Sequence, residues 1–194
     1  MAELGNRVNR IDAKAKVTGE ALYPGDFNMD HQLYMKVLFA RVPHAVVKSI
    51  DISDAEKING VVLILTAKDV PNNEYGLGTA DQPVLCGPGS NKTYGDHVRF
   101  VGDQVALVIA ETEEIASQAR DLIKVEYQEL PVTSTIEEAR LEKLPLVHPD
   151  LGSNTFCHFK IRKGDIDEGF KKSDVIVESE YRTPIQEHAY LQPE

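Results

Sequence analysis

Tryptophan is absent from these 194 residues, and cysteine occurs only twice, at Cys86 and Cys157. The two cysteines form no C-x-x-C pair and leave no third or fourth soft ligand, so a zinc-site spacing is excluded. They read as reduced thiols in a cytoplasmic protein. Long apolar runs are lacking too: Val61–Leu65 and Val105–Ala110 are far short of the roughly 20 residues that a membrane helix needs, and both read as buried strands. The first sixteen positions scatter Arg7, Arg10, Lys14 and Lys16 among isolated apolar residues, which is no pattern for an export signal. Positive charge is in deficit, with 21 Lys and Arg against 31 Asp and Glu and a net charge of −10. Dispersed basic residues on an acidic chain argue against nucleic acid or an anionic membrane as partner.

What is present is an ordinary globular composition, 42% hydrophobic and 27% charged. A chain of this size buries roughly 70% of the surface its unfolded form exposes, enough to fold without a disulfide or metal staple as one large domain or two small ones. Leu33–Ala40, closed by Pro43, and Val46–Ile52 read as strands. Ser53 and Asp54 offer a cap to a short helix over Ala55–Asn59, and Gly60 supplies its left-handed stop. Val61–Thr66 reads as a central strand ending at the Asp69-Val70-Pro71 turn. From Pro71 to Gly95 five glycines and three prolines break every period. A loop longer than about 15 residues is usually functional or partner-contacting, and a mobile surface excursion is the equal alternative. Val98–Val101 and Gln104–Ala110 read as two strands meeting at Gly102-Asp103, where glycine can take a positive φ.

Thr112 caps the clearest helix. Ile115, Ala116, Ala119, Leu122 and Ile123 form one stripe on a 3.6-residue period, and Glu113 and Glu114 sit in the first turn, where the helix dipole favours negative charge. Lys124–Tyr127 is a further strand. These elements predict an α+β domain over residues 17–129, preceded by an extended segment, 1–16. Residues 130–153, punctuated by Pro131, Pro145 and Pro149 around a weak helical patch at Ile136–Arg140, read as a connector. In 154–194, Phe156–Ile161 and Val175–Tyr181 read as strands flanking a short helix that Gly164-Asp165 opens, with Ile166 and Phe170 on one face. The dense closing run from Gln186 to Glu194 suggests a cut inside a second domain.

Chemistry is sparse. No G-x-S-x-G, H-E-x-x-H, P-loop or EF-hand pattern occurs. Gly76-x-Gly78 follows no strand and opens no helix, so it is no dinucleotide fingerprint. His44, between Pro43 and Ala45, has no carboxylate fixed against it by local spacing and reads as a turn or interface histidine. Cys157 and His158 are adjacent on an extended stretch and point to opposite faces, which prevents a shared ion. Glu187, His188 and Gln192 gather a carboxylate, an imidazole and an amide near Pro184, yet a catalytic centre draws on several elements and this tail is one. No catalytic, cofactor-binding or metal-ligating residue is assigned within the chain.

The punctuation taken in order resembles a known family. Arg10-x-Asp12, Lys16-x-Thr18-Gly19-x-Ala21-x-Tyr23-x-x-Asp26, Pro43-His44-Ala45 before Ile50-Asp51, Gly60-Val61 with Thr66-x-x-Asp69, Asp81-Gln82-Pro83-Val84-Leu85, Gly102-Asp103-x-Val105-Ala106-x-Val108-x-Ala110 and Val125-x-Tyr127-x-x-Leu130-Pro131 are similar to the molybdenum-binding large subunit of the xanthine dehydrogenase/aldehyde oxidase family. Residues 17–129 resemble its α/β-hammerhead domain. Gly164-Asp165, Phe170, Asp174-Val175 and His188-x-x-Leu191-x-Pro193 resemble the truncated start of its molybdopterin-binding domain. The resemblance implies a cytoplasmic oxidoreductase that hydroxylates purines, N-heterocycles or aldehydes with oxygen from water at a molybdenum–molybdopterin centre. It implies electron transfer to iron–sulfur clusters and FAD in partner subunits or domains, and an oligomeric full enzyme. The family's glutamate base and its pterin-holding glycine segments lie beyond the equivalent of Glu194, so the fragment is expected to be structural, cofactor-free and inactive alone. The family often has Glu before the last proline, where this chain has Gln192. The alternative from a different class is a self-contained α+β interaction or assembly module with no catalytic parent.

Overall fold

The structure is a computed structural model that describes residues 5, 8–141 and 143–187. Residues 30–158 form one compact unit, and the segments before and after it gather in a second.

In the second unit, helix α1 runs Ala13–Thr18 and ends on Gly19 at φ 78°. The stretch expected to be extended over 1–16 therefore turns helical at Ala13. Asp12 drives the change by pairing with Arg10 at 3.1 Å and with Lys16, one turn on, at 2.6 Å. These pairs, the Lys16 one above all, hold the Asp12 carboxyl at about 2, below the usual carboxylate range. Pro24–Asp26 adds a single 3-10 turn.

The compact unit is built from two three-stranded antiparallel sheets. Its strands are β1 (Tyr34–Phe39), β2 (Ala45–Asp51), β3 (Val61–Thr66), β4 (His97–Val98), β5 (Gln104–Ala110) and β6 (Lys124–Glu129), with helix α2 (Glu113–Leu122) between the last two. One sheet has the order β1-β5-β3 and the other β4-β2-β6. Sequential strands β1 and β2 thus belong to different sheets. The chain crosses between them at Arg41, whose φ of 58° is an unusual conformation for a side chain with a Cβ. Backbone bonds from Ala40 N to Asp103 O and from Arg41 N to Val101 O hold that crossing.

Two apolar clusters fill the unit. Ala40, Ala45, Val47, Cys86, Val98 and Val105 make one, and Ala55, Ile64, Ala106, Val108, Ala119 and Ile123 make the other. Helix α2 supplies the second through Ala119 and its C-cap Ile123, while Ala116 is also buried and Leu122, expected on the same stripe, is exposed. Its cap is also as expected, with the Thr112 hydroxyl accepting from Ile115 N at 3.2 Å.

Three local expectations are corrected. Residues 53–57 form hydrogen-bonded turns and not a helix, since the stretch is too short to propagate one, although Gly60 does take φ 92°. A Cβ there would come within 2.8 Å of the Ile115 side chain, so space as well as conformation requires glycine. Strand β3 lies at a sheet edge and β5 takes the centre, because β5 alternates buried residues on both faces while Val62 and Leu63 of β3 stay exposed. The strand pair expected to meet at Gly102-Asp103 is split between the two sheets. Asp103 holds that turn by accepting from the backbone amides of Arg99 and Phe100. A Cβ on Gly102 would meet the exposed Phe100 ring at 2.4 Å, so that ring would have to shift, and Gly102 does not take the positive φ that the turn was expected to use.

The long loop is anchored at its base. Asn73 is fully buried; its amide donates to Leu85 O at 2.7 Å and to Ser90 Oγ at 2.8 Å, and its Oδ1 accepts from Leu85 N at 2.8 Å. Asn91 adds a bond to Pro71 O, and Leu85 and Cys86 go into the interior. Beyond the sheets, Ile136–Ala139 (α3) and Ile166–Lys171 (α4) are short helices, each with its N-cap side chain bonded. Phe156–Ile161 and Val175–Tyr181, expected as strands, form no strand and belong to no sheet ladder among the described residues.

Two outcomes follow. Asn73→Ala leaves the buried Leu85 amide and carbonyl unpaired, so the chain loses about 3 kcal/mol of stability in urea titration. A loss below about 1 kcal/mol contradicts that role for Asn73. Burial pushes the Cys86 thiol up to about 12 while Cys157 is exposed. A thiol reagent at pH 8 therefore titrates one cysteine in the native protein and two after denaturation, and prompt modification of both in native buffer contradicts the packing.

Candidate functional site

The candidate residues are placed by two turns and the connector. His44 sits where β2 begins, and only 6% of its surface is exposed. Its Nδ1 lies 2.6 Å from Pro131 O, an acceptor, so Nδ1 carries the proton. Leu130 N donates back to His44 O at 3.0 Å. The residue thus clasps the start of the connector to the β2 turn. That is the interface role expected of it, and its ring has a carbonyl, not a carboxylate, as the partner on Nδ1.

A cleft of ≈ 240 Å³ opens beside it, lined by His44, Arg99, Phe100, Val132, Thr133 and Val147 among others. Arg99 is its one cation. The guanidinium donates to three backbone carbonyls, those of Val147 at 2.9 Å, His97 at 3.0 Å and Tyr94 at 3.3 Å. Three of its five N–H donors are therefore committed to the backbone, which fixes the guanidinium in place. Burial pushes the Asp103 carboxyl above its ordinary value, opposed by the two amides it accepts from. Burial and the neighbouring Arg99 charge depress His148. Among the described residues, Thr133 Oγ1 is buried with no partner, a neutral hydroxyl with little acid–base capacity at this position.

A second cleft, ≈ 510 Å³, lies in the connector beside Arg140, Leu141, Leu144 and Asn154. Asn154 organises it, accepting from Val147 N at 2.9 Å and donating to Ala139 O at 3.0 Å. Neither cleft brings together a nucleophile, a base and an oxyanion donor.

The remaining candidates stay apart. Gly76 and Gly78 form the tip of the long loop beyond the Tyr75–Gln82 bridge. A Cβ on Gly76 would fall 1.8 Å from Thr79 O, so this glycine serves a tight turn and not a phosphate. Lys92, close to Gly87, Gly89 and Gly95, is tied to Glu74 at 3.1 Å. Cys157 and His158 are exposed neighbours outside any helix or strand. His188 and Gln192 lie outside the described residues. No group of three His, Cys, Asp or Glu able to hold a metal exists among the described residues. No described helix is long and apolar enough to cross a membrane. Asn73 and Arg99, which hold the loop and the cleft, carry no sequence signature, because each acts on backbone groups brought close only by the fold, whereas Asp103 is legible as part of the Gly102-Asp103 turn.

Comparison with known proteins accounts for this arrangement. Residues 18–131 match the family model described as aldehyde oxidase and xanthine dehydrogenase, a/b hammerhead domain, and residues 147–194 match the molybdopterin cofactor-binding domain. A protein of Bacillus subtilis described as a probable xanthine dehydrogenase component is 42% identical over 97% of the chain. The nicotinate dehydrogenase large molybdopterin subunit of Eubacterium barkeri is 34% identical over 98% of it. The crystal structure of quinoline 2-oxidoreductase from Pseudomonas putida superposes with a TM-score of 0.58 at 34% identity, covering 70% of this chain and 17% of that one. The chain spans 24% of the length of the Bacillus relative and 43% of the Eubacterium one. The expectation of an α+β hammerhead domain is thereby met, and the chain belongs to the aldehyde oxidase and xanthine dehydrogenase family.

Proposed function

We propose that these residues are the scaffold portion of a molybdenum-binding subunit that hydroxylates a purine, N-heterocycle or aldehyde with oxygen from water. The observation that carries the reading is the consecutive match to a hammerhead domain and a molybdopterin cofactor-binding domain along one chain. The same observation weighs against a free-standing assembly module with no catalytic parent. When bound, the molybdenum–molybdopterin group supplies the redox centre at which the substrate carbon is oxidised.

The described residues do not fit that group. They offer no metal-ligating cluster, and Arg99 and Lys92 are engaged by backbone and carboxylate partners. The active centre in this reading lies in the part of the subunit that the relatives possess and this chain does not span. Iron–sulfur and FAD-binding partners, a cytoplasmic setting and an oligomeric holoenzyme belong to the same proposal. So does the division into a hammerhead at 17–129, a connector at 130–153 and the start of the cofactor-binding domain from 154.

What the chain's own residues do is mechanical. His44, through Pro131 and Leu130, fixes the point at which the chain leaves β6, and Arg99, through Val147, ties the far end of the connector to the β4 turn. The connector is thus held at both ends.

The test pairs the 194-residue chain with a chimera in which it replaces its aligned stretch of the Bacillus subtilis relative, both produced in a molybdopterin-making host. The chain alone contains sub-stoichiometric molybdenum and oxidises no hypoxanthine, nicotinate or benzaldehyde in a dye-coupled assay. The chimera binds molybdenum and transfers labelled oxygen from water to one of those substrates. Stoichiometric molybdenum on the isolated chain overturns the reading.

A further inference from the structure

The cleft beside His44 has apolar walls interrupted by polar groups whose hydrogen-bonding capacity is unmet. Two long-range bonds shape it, from His44 Nδ1 to Pro131 O at 2.6 Å and from Arg99 Nε to Val147 O at 2.9 Å. They hold the two ends of the connector against the β2 and β4 turns, so the cavity is formed before anything enters it. Pro43, Phe100, Val101, Val132 and Val147 are its apolar lining. Three polar groups share that lining. Thr133 Oγ1 is buried with no hydrogen-bond partner among the described residues. His44, 6% exposed, spends Nδ1 on Pro131 and leaves Nε2 without a bond among the described residues. Arg99 keeps two of its five N–H donors after its three backbone bonds.

We propose that this cleft is a binding site for a neutral, single-ring cyclic amide, held by its adjacent N–H and C=O groups. Such a site is independent of the molybdenum chemistry proposed above.

Size and polarity choose that class. At ≈ 240 Å³ the cleft is smaller than the roughly 300–1,000 Å³ of drug-sized ligand sites, so it suits one ring and not a nucleotide. With the proton on Nδ1, Nε2 of the neutral imidazole is an acceptor and calls for a donor on the ligand. The Thr133 hydroxyl and the spare Arg99 N–H groups are donors and call for an acceptor. A lactam edge carries both side by side. A wholly apolar ring leaves Thr133 Oγ1 and Nε2 unpaired, and an unmet buried polar group is costly. A carboxylate is the poorer match. It has no donor for Nε2, the Arg99 charge that would draw it is already opposed by Asp103, and it approaches a chain of net charge −10. Water alone satisfies the hydroxyl but gains nothing from the five apolar residues around it.

The probe is 2-pyridone, titrated into the nitrogen-15-labelled 194-residue chain at pH 8 and read by NMR. Saturable shifts appear in the His44 Nε2 resonance and the Thr133 amide, while the amides of β3 stay in place. Thr133→Val keeps the side chain's shape and removes a hydroxyl that has no partner in the fold, so this variant melts no lower than the parent. It binds 2-pyridone about 10-fold more weakly, the loss of one hydrogen bond. On the parent chain N-methyl-2-pyridone, which keeps the carbonyl and lacks the N–H, binds at least ~10-fold more weakly than 2-pyridone, and so does benzoate. The absence of a saturable shift up to about 10 mM 2-pyridone overturns the proposal. So does undiminished affinity of Thr133→Val for 2-pyridone, or of the parent for N-methyl-2-pyridone or benzoate. A crystal structure grown with 2-pyridone in which water alone meets Thr133 Oγ1 overturns it too, and a Thr133→Val chain that melts below the parent counts against it, because the hydroxyl then has a partner within the fold.

Discussion

Strand β5 is the constraint on which the compact unit depends. Adjacent residues of a strand point to opposite faces, so burying both faces of one strand joins two cores. Val105 belongs to the cluster with Val47, Cys86 and Val98, while Ala106 and Val108 belong to the cluster under α2. The small residues Ala106, Ala110, Ala116 and Ala119, all fully buried, let the helix approach the sheet closely. β1 and β3 pair on either side of β5, and the Gln104 carbonyl accepts from Cys86 N, so the long loop is also tied to this strand. A polar residue at Val105 or Val108 therefore disturbs more than its own contacts.

Much of this was legible in the sequence. The positions of all six strands were, to within a few residues at each end, because period and turn residues are local signals. The helix at 113–122 was legible in its stripe, its Thr112 cap and its acidic first turn. What was not legible was partnership. Val61–Thr66 reads as apolar throughout, as a central strand does, yet it lies at an edge. Its hydrophobicity does not say how many neighbours it has. Val98–Val101 and Gln104–Ala110 read as a hairpin because they are close in sequence, but the Asp103 carboxylate gathers the Arg99 and Phe100 amides into a corner that turns the chain from one sheet to the other.

The candidate site followed the same division. That His44 would be a turn or interface histidine could be read from Pro43-His44-Ala45, and its partner, Pro131, 87 positions away, could not. Arg99 looked like any dispersed cation. Only the fold shows that its guanidinium is spent on three carbonyls. Asn73 has the same character: one asparagine of the Asn72-Asn73 pair in a glycine-rich stretch gives no hint that it pairs with Leu85 and Ser90. Side chains that satisfy backbone groups are hard to see in a sequence because their partners are chemically identical at every position.

This distinction explains why the long loop and the C-terminal stretches, similar as irregular segments, differ physically. The loop buries Leu85, Cys86 and Asn73 completely and satisfies its own polar groups, so it is ordered within the unit that contains it. The stretches at 159–162 and 175–182 have the better strand sequence and the poorer burial. Ordering each residue costs about 1–2 kcal/mol of conformational entropy, and exposed apolar side chains return little of it. Strand propensity without a ladder does not offset that cost, whereas a loop of low propensity with a few well-placed hydrogen bonds and two buried side chains does. Order in this chain follows satisfied partners more closely than it follows propensity.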